Sequence, residues 1–270
     1  MAYYISGDTI TNDISTIQYF SKDYYNKYIK NFIKNKNFYN SLNISPLIFI
    51  TRVDYLNYFY TEIVKNLNNK FVLITHYGDD VAGLNKNILH HPLLIKWYGQ
   101  NMKVISNKTC GLPIGLTNNF WNITNINTIK QNLSNPKEKL LYLNFTLTSQ
   151  ENRPKIMDSL NKKGFMRNET LEWNKYIIDL SKHKFCISPQ GNGKDCHRTW
   201  ECLYLGVIPI VEKSTEMSFF EDLPILFVDS YDEISIEFLN EKYKNFKNKS
   251  FNLEKLSIKY WRNKIYSHFT

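Results

Sequence analysis

Residues 188–201 of this 270-residue chain combine two glycines with two basic and two acidic side chains in one short run. Gly191 and Gly193 let the backbone approach a ligand closely, and the start of the helix predicted after them offers unpaired N–H groups that suit a phosphate. Arg198 falls in the first turn of that helix, where its guanidinium can clamp a diphosphate. Glu201 lies on the same side, three residues on, and can accept hydrogen bonds from ribose hydroxyls. The pattern favours a nucleotide-sugar site.

The same residues also permit a purely structural interpretation. Arg198 and Glu201 can form an exposed ion pair that contributes only about 0–1 kcal/mol. Gly191 and Gly193 can be ordinary turn residues. The run is not a dinucleotide-binding G-x-G-x-x-G, because Cys196 stands in place of the third glycine, and it lacks the G-K-[ST] of a P-loop.

A second polar loop, residues 76–80, follows a short apolar run, residues 71–75. A polar loop at the end of a strand can supply a general base, and a His or Asp side chain can serve. We therefore name His76 and Asp79 as the catalytic candidates. Acidic residues in such a loop commonly only form the turn, and that interpretation stays open.

The sequence contains no Asp-x-Asp pair of the kind that holds a divalent ion on a diphosphate. We therefore predict no metal and no cofactor, with Arg198 and the helix N-terminus offsetting the charge of a diphosphate instead. None of the four cysteines forms a C-x-x-C pair, and reduced thiols are the favoured interpretation. The alternative is a zinc site built from Cys186, Cys196, His197 and Cys202.

The residues around this run form a longer pattern: Ser188-Pro189-Gln190-Gly191-Asn192-Gly193, Asp195, His197-Arg198-Thr199-Trp200-Glu201, Leu203-Tyr204-Leu205-Gly206 and Ile208-Pro209-Ile210-Val211. The pattern resembles the C-terminal donor-binding signature of exostosin-like glycosyltransferases, S-P-R-G-x-G-x-D-x-x-R-x-W-E-A-L-x-x-G-x-I-P-V-I. Looser upstream pieces resemble the N-terminal half of related viral and bacterial proteins: Thr75-His76, Leu94-x-x-Trp97, Gln100-Asn101 and Leu112-Pro113-Ile114-Gly115.

The resemblance implies a GT-B fold, with two Rossmann-like halves, an active site in the interdomain cleft and a nucleotide-sugar donor held mainly by the second half. The acceptor would be a hydroxyl of a glycan or glycoconjugate. The donor-binding residues implied are Arg153, Ser188, Gly191, Asn192, Gly193, Asp195, His197, Arg198 and Glu201. Gln190 stands where the family usually has Arg, which keeps a catalytically inactive carbohydrate-binding or nucleotide-sugar-binding relative as an alternative. A fucosyltransferase-like member of the same architecture is the other.

Short apolar runs that alternate with amphipathic stretches predict an α/β protein with parallel sheets. The predicted strands are 47–51, 71–75, 103–105, 140–145, 184–188, 207–211 and 225–228. The predicted helices are 54–67, 92–98, 148–163, 171–182, 197–205, 232–246 and 253–269. Five residues are expected to delimit helices: Thr148 and Glu151 as a capping box, Asp195 as a cap, and Gly164 and Gly206 as stops. A polar connector, 122–139, predicts two domains, 1–135 and 136–270. The resemblance implies that the first is the acceptor-side domain and that the second binds the donor.

The overall composition narrows the class of protein. A formal net charge of +9 permits anionic partners. Lysines are scattered among Asn and Tyr, so we expect no nucleic-acid partner. With only five arginines in the chain, an Arg inside a motif carries more weight than a Lys. No apolar run of about 18 residues and no signal peptide is apparent. We therefore expect a soluble cytoplasmic protein, of a cell or a virus-infected host, and leave peripheral membrane contact open.

Overall fold

The computed structural model describes residues 4–14, 17–20, 46–118 and 124–269. Within them the protein is α/β, with one five-stranded and one four-stranded parallel sheet. The predicted fold class is therefore confirmed at this level. Contacts divide the chain into two compact units. The first is Met1–Ile114 with Ser257–Thr270, and the second is Gly115–Leu256.

The strands follow the chain in simple order within each sheet. The first sheet contains β1 (Ile17–Phe20), β2 (Leu47–Thr51), β3 (Phe71–Thr75), β4 (Leu94–Gly99) and β5 (Thr109–Gly111). The second contains β6 (Lys139–Tyr142), β7 (His183–Ile187), β8 (Ile208–Glu212) and β9 (Leu226–Val228). The reversal of strand order that creates the ligand crevice of doubly wound sheets does not occur among these described strands.

Ten α-helices lie in the described part of the chain, joined in places by single 3₁₀ turns. They are α1 (Gly7–Asp13), α2 (Leu56–Glu62), α3 (Lys86–Leu89), α4 (Ile126–Gln131), α5 (Arg153–Lys162), α6 (Trp173–Leu180), α7 (His197–Tyr204), α8 (Thr215–Ser218), α9 (Ile236–Lys247) and α10 (Ile258–Tyr266). Over the described residues, no helix combines the length and the apolar character that a membrane span requires.

The two strands with predicted bounds that the structure reproduces, β2 and β3, are buried along their whole length. Successive side chains of a strand point to opposite faces, so both faces of this sheet are covered. Apolar and β-branched residues fill these positions because neither face meets water. The Phe49 ring packs 5.2 Å from Phe59 of α2 and 6.1 Å from Phe71 of β3, between ring centroids.

The second sheet is built in the same way around β7. Phe185 and Ile187 are fully buried, and they share one core cluster with Ile210 of β8 and Leu160 of α5. Ser188, directly after β7, is also buried, with 2% of its surface exposed. Because all four strands are parallel, their carboxyl ends lie at one edge of the sheet.

The predicted helix over 92–98 and strand over 103–105 are wrong. Most of the predicted helix forms β4, which pairs with β3 and β5, and residues 103–105 lie between β4 and β5, outside both strands. Trp97 is fully buried, and its indole Nε1 donates to Thr75 Oγ1 at 2.9 Å. A Cβ at Gly99 would lie 2.6 Å from the Ala82 Cβ, so only glycine fits there. Pairing with the neighbouring strands selects the strand conformation of β4, and the local spacing of apolar residues does not reveal that pairing.

The helix ends of the second unit are partly as predicted. Gly164 (φ +85) follows α5 and Gly206 (φ +66) follows α7, both in the left-handed conformation that glycine adopts readily, so these two stops are confirmed. The capping box of Thr148 and Glu151 is wrong. The helix begins later, at Arg153, with a proline in its first turn, where the missing N–H costs nothing.

The predicted cap at Asp195 is also wrong. Cys196 occupies the N-cap position of α7 and makes no side-chain capping bond. The Asp195 side chain is 3% exposed, and its Oδ1 accepts a 2.6 Å hydrogen bond from Trp200 Nε1. A buried indole donor one turn further on satisfies this carboxylate, in place of the helix amides.

The boundaries of the two units differ from the predicted domains, 1–135 and 136–270. The division falls between Ile114 and Gly115, and the last segment, Ser257–Thr270, returns to the first unit. This segment carries α10, which packs against α1 at the opposite end of the chain. Trp261 and Ile265 of α10 are buried. Such contacts join residues far apart in sequence, so a composition change along the chain cannot locate them.

Candidate functional site

A cavity of about 390 Å³ lies within the second unit, at the carboxyl end of β6. Residues of β6 and the loop after it, of the loop before α6, of α6 itself and of the first turns of α7 form its wall. They are Tyr142, Asn144, Phe145, Thr146, Arg167, Thr170, Leu171, Trp173, Tyr176, His197, Arg198 and Glu201. The volume falls within the range of small-molecule sites.

The cavity is bounded by the first turns of α6 and α7. Glu172 caps α6, accepting from the Lys175 amide at 3.3 Å. The cap sets the start of the helix, so Trp173 and Tyr176, three residues apart, lie on one side of it. Arg198 and Glu201 have the same spacing on α7, and both line the same cavity as the two aromatic residues.

Glu201 is held by two neutral donors. Trp173 Nε1 donates to one carboxylate oxygen and the Tyr176 hydroxyl to the other, both at 2.8 Å. The residue is only 6% exposed. Burial, and next the charge of Glu201, raise the pKa of Tyr176 well above its ordinary value, so the phenol remains a donor. Each carboxylate oxygen keeps a lone pair with which it can accept a ligand hydroxyl.

Arg198 lies over the Tyr176 ring, with 5.8 Å between the guanidinium carbon and the ring centroid. Its Nε is buried and has no hydrogen-bond partner. The ion pairs of the described chain involve other residues, so the ion pair of Arg198 with Glu201 considered above is not formed. Burial opposes the charge, but interaction with Tyr176 raises the pKa of Arg198 overall, so the guanidinium is charged at any physiological pH.

Arg153 is held by backbone carbonyls, and its predicted contact with a donor stays a prediction. It is 8% exposed, and its three guanidinium nitrogens donate to the carbonyls of Gln190 (3.0 Å), Thr146 (2.8 Å) and Pro189 (3.2 Å). These bonds join the loop after β7 to the loop after β6. Arg153 thus braces the wall of the cavity and is not among its lining residues.

The glycine loop after β7 is closed on itself. The Gly191 amide donates to the Gly193 carbonyl and to Cys196 Sγ, both at 3.0 Å. Ser188 Oγ lies 2.9 Å from Thr199 Oγ1, and both residues are buried. A Cβ at Gly191 would stand 3.5 Å from the Cys196 sulfur, an ordinary contact. The backbone of this loop therefore lies against the Cys196 side chain of the same loop.

Three of the nine predicted donor-binding residues line the cavity: His197, Arg198 and Glu201. The His197 Nδ1 lies 2.8 Å from the Gly115 carbonyl. Because a carbonyl only accepts, Nδ1 carries the proton of the neutral ring and Nε2 is its basic nitrogen. The other six lie in the glycine loop or brace it: Arg153, Ser188, Gly191, Asn192, Gly193 and Asp195. Asn192 is exposed.

The two catalytic candidates follow β3 in the first unit and lie in different environments. His76 is 3% exposed, and its Nε2 donates to the Pro113 carbonyl at 3.1 Å. The side chain of Asp79 is exposed, while its carbonyl accepts from the Asn101 amide group at 3.3 Å. Tyr77, between them, has a positive φ of 68°. Their proposed role as base stays a prediction.

Trp173, Tyr176 and Arg167 also line the cavity, although they were not among the predicted site residues. The sequence alone favours packing in the interior or in a cleft for three tryptophans, Trp97, Trp121 and Trp173. Trp97 does so, Trp121 lies outside the described residues, and Trp173 donates to Glu201. The Trp-x-x-Tyr spacing at a predicted helix start was the available signal. Arg167, one of five arginines, was another.

No group of three or more His, Cys, Asp or Glu side chains suited to a metal ion occurs among the residues that the structure describes. The zinc alternative is therefore not supported, since its four residues form no such cluster. All four cysteines are free thiols. Burial, and next Asp195, raise the pKa of Cys196 to about 11.

Comparison with known proteins gives no assignment: neither a protein-family model nor a curated protein matches this sequence. The chemistry of the cavity and the resemblance of residues 188–211 are therefore the grounds on which a function is proposed.

Proposed function

We propose that this protein is a glycosyltransferase that moves a sugar from a nucleotide-diphosphate donor to a carbohydrate hydroxyl without a metal ion. One observation carries the proposal. The cavity in the second unit places a charged arginine that has no carboxylate partner beside a carboxylate whose two oxygens are already oriented by neutral donors.

Such a pair suits a ligand that joins an anionic group to hydroxyls. Arg198 can take two oxygens of a diphosphate, whose negative charge grows as the donor sugar leaves. Glu201 can accept from neighbouring ribose or sugar hydroxyls with its remaining lone pairs. The Tyr142, Phe145 and Trp173 rings in the same wall provide apolar surface for a base or a sugar.

The resemblance to exostosin-like glycosyltransferases supports the same reaction. As part of this proposal, the two α/β units are the Rossmann-like halves of a GT-B enzyme, and His76 or Asp79 of the first unit is the base. The donor is a nucleotide sugar, and no other cofactor is required.

A catalytically inactive nucleotide-sugar-binding relative is the second candidate, and Gln190 favours it. The family pattern has an arginine here, whereas the observed contact of Gln190 in the loop is made by its backbone carbonyl, which accepts from Arg153. One cation fewer at this loop weakens stabilisation of a leaving diphosphate more than it weakens binding through Arg198.

Thermal stabilisation by a panel of nucleotide sugars, GDP-fucose included, tests the proposal. A ligand at 100 times its dissociation constant adds about 2.7 kcal/mol of stability. Arg198→Ala is the matched control and should lose the effect. A stabilising donor that also releases its nucleoside diphosphate in the presence of glycan acceptors supports the enzyme, and GDP-fucose would identify a fucosyltransferase-like member. Stabilisation without release supports the inactive relative, and no stabilisation by any donor would refute both.

A further inference from the structure

Arg198 and Glu201 stand three residues apart on α7, a spacing at which opposite charges on a helix commonly pair. In this protein they line one cavity without pairing. An arginine that does pair with a nearby carboxylate offers less of its charge to a ligand. The groups that keep the two residues apart therefore bear directly on what the cavity can bind.

Two side chains of α6 donate hydrogen bonds to the Glu201 carboxylate. Trp173 Nε1 donates to one oxygen of Glu201 and the Tyr176 hydroxyl to the other, each at 2.8 Å. One donor on each oxygen fixes the plane of the carboxylate. Because indole and phenol are neutral, they orient Glu201 without cancelling its charge.

Tyr176 also contacts the arginine. Its ring lies beneath the Arg198 guanidinium at 5.8 Å, while its hydroxyl is bonded to Glu201. An aromatic face stabilises a cation without offering it a hydrogen-bond acceptor in the ring plane. The Nε of Arg198 is buried and has no hydrogen-bond partner.

From this geometry we infer that Trp173 and Tyr176 are positioning residues that hold Glu201 away from Arg198 and so keep Arg198 available for an anionic ligand. The ligand class is a diphosphate, or a compound that carries one. The inference rests on the proposed function only in that choice of ligand, and not on any transfer reaction.

Loss of the two donors changes which partner Glu201 takes. A carboxylate that is 6% exposed and has lost its hydrogen bonds is costly to keep ionised. Arg198, on the same face of the same helix, is the cation that can replace the lost donors. A diphosphate must then compete with Glu201 for the guanidinium, and its affinity falls.

Calorimetric titration with inorganic pyrophosphate tests this competition. Trp173→Phe, Tyr176→Phe and the double variant keep the aromatic rings and remove the donors. We expect the double variant to bind pyrophosphate at least tenfold more weakly than the parent. Adding Glu201→Gln to the double variant removes the competing charge and should restore affinity to within about threefold of the parent. A purely structural role of the two residues predicts no such rescue.

Tyr204→Phe is the matched control for the hydroxyl deletion. Tyr204 is also on α7, and its hydroxyl donates to the Leu256 carbonyl at 2.8 Å, with no part in lining the cavity. It should leave pyrophosphate affinity unchanged. Thermal unfolding of every variant identifies any that fail to fold. If the double variant fails, Tyr176→Phe alone, the smallest change, replaces it in the titration. Tyr176→Phe/Glu201→Gln is then the variant that should restore affinity.

Three results would overturn the inference: undiminished binding by the double variant, weakened binding that Glu201→Gln does not restore, or no pyrophosphate binding by the parent protein. Failure of the proposed function looks different. Pyrophosphate then binds and responds to the variants as expected, while no nucleotide sugar stabilises the protein. Conversely, if the protein turns over a nucleotide sugar but the double variant binds pyrophosphate as tightly as the parent, the inference is refuted and the proposed function is not.

Discussion

Replacement of Arg153 by alanine distinguishes the bracing position seen in the structure from the phosphate contact that the resemblance implies. The side chain is 8% exposed and makes three hydrogen bonds to backbone carbonyls, of Thr146, Pro189 and Gln190. Its guanidinium also lies 5.7 Å from the centroid of the Phe145 ring. If these contacts are its role, Arg153→Ala lowers stability and changes ligand affinity little.

The expected loss of stability follows from these bonds. Hydrogen bonds from a charged donor contribute about 1.5–3 kcal/mol each, but they do not add when they share one side chain. Burial opposes the arginine charge and lowers the pKa of Arg153, which reduces the net gain. The freed carbonyls of Thr146 and Gln190 lie where water can reach them, because Thr146 is exposed and Gln190 half-buried. We expect a net loss of about 3 kcal/mol, or a fall in melting temperature of about 6–12 °C.

Scanning calorimetry measures the loss, and pyrophosphate titration below the transition measures the affinity. Arg153→Lys should lose most of the same stability, because a single ammonium cannot span three carbonyls in one plane. Arg262→Ala is the matched control. Arg262 is exposed on α10, and its replacement should change the free energy of unfolding by less than about 0.5 kcal/mol.

The opposite pattern would refute the bracing role. If Arg153→Ala unfolds within about 0.5 kcal/mol of the parent while pyrophosphate affinity falls tenfold, Arg153 contacts the anion and the three carbonyl bonds are incidental.

Three further predictions concern the site. Arg198→Ala should weaken nucleoside-diphosphate binding by about 1.5–3 kcal/mol, or roughly 10- to 150-fold, with the fold intact, and unchanged affinity by titration would show that Arg198 is structural. Excess EDTA should change turnover by less than about tenfold; complete loss, restored by manganese or magnesium, would indicate that Asp79 and Asp80 hold an ion. The pKa of Cys196 is raised from 9.0 to about 11 by burial and next by Asp195, so the protonated thiol contributes stability below pH 9 that is lost as the pH rises towards 11. Native Cys196 should therefore react slowly with iodoacetamide at pH 8, as measured by mass spectrometry. Labelling of native Cys196 at the rate seen in the unfolded chain would contradict this.

Several features of the fold follow from the sequence alone because their cause is local. Two five-residue apolar runs, Leu47–Thr51 and Phe71–Thr75, predict β2 and β3 with the observed bounds. Gly164 and Gly206 end helices because glycine adopts the left-handed conformation readily. The three-residue spacing of Arg198 and Glu201 places both on one side of α7, since helix geometry depends on spacing only.

The tertiary structure decided what those residues contact. An apolar run such as Leu94–Gly99 fits a helix or a strand, and only its pairing with β3 and β5 selects the strand. The resemblance implies a phosphate contact for Arg153, and the structure adds that its guanidinium donates to carbonyls 7 and 36–37 residues away. Glu201 takes its two donors from a different helix and not from Arg198. Periodicity depends on neighbours in the chain, whereas a buried polar group bonds whichever partner folding brings within reach, and that partner is set by the packing of distant segments.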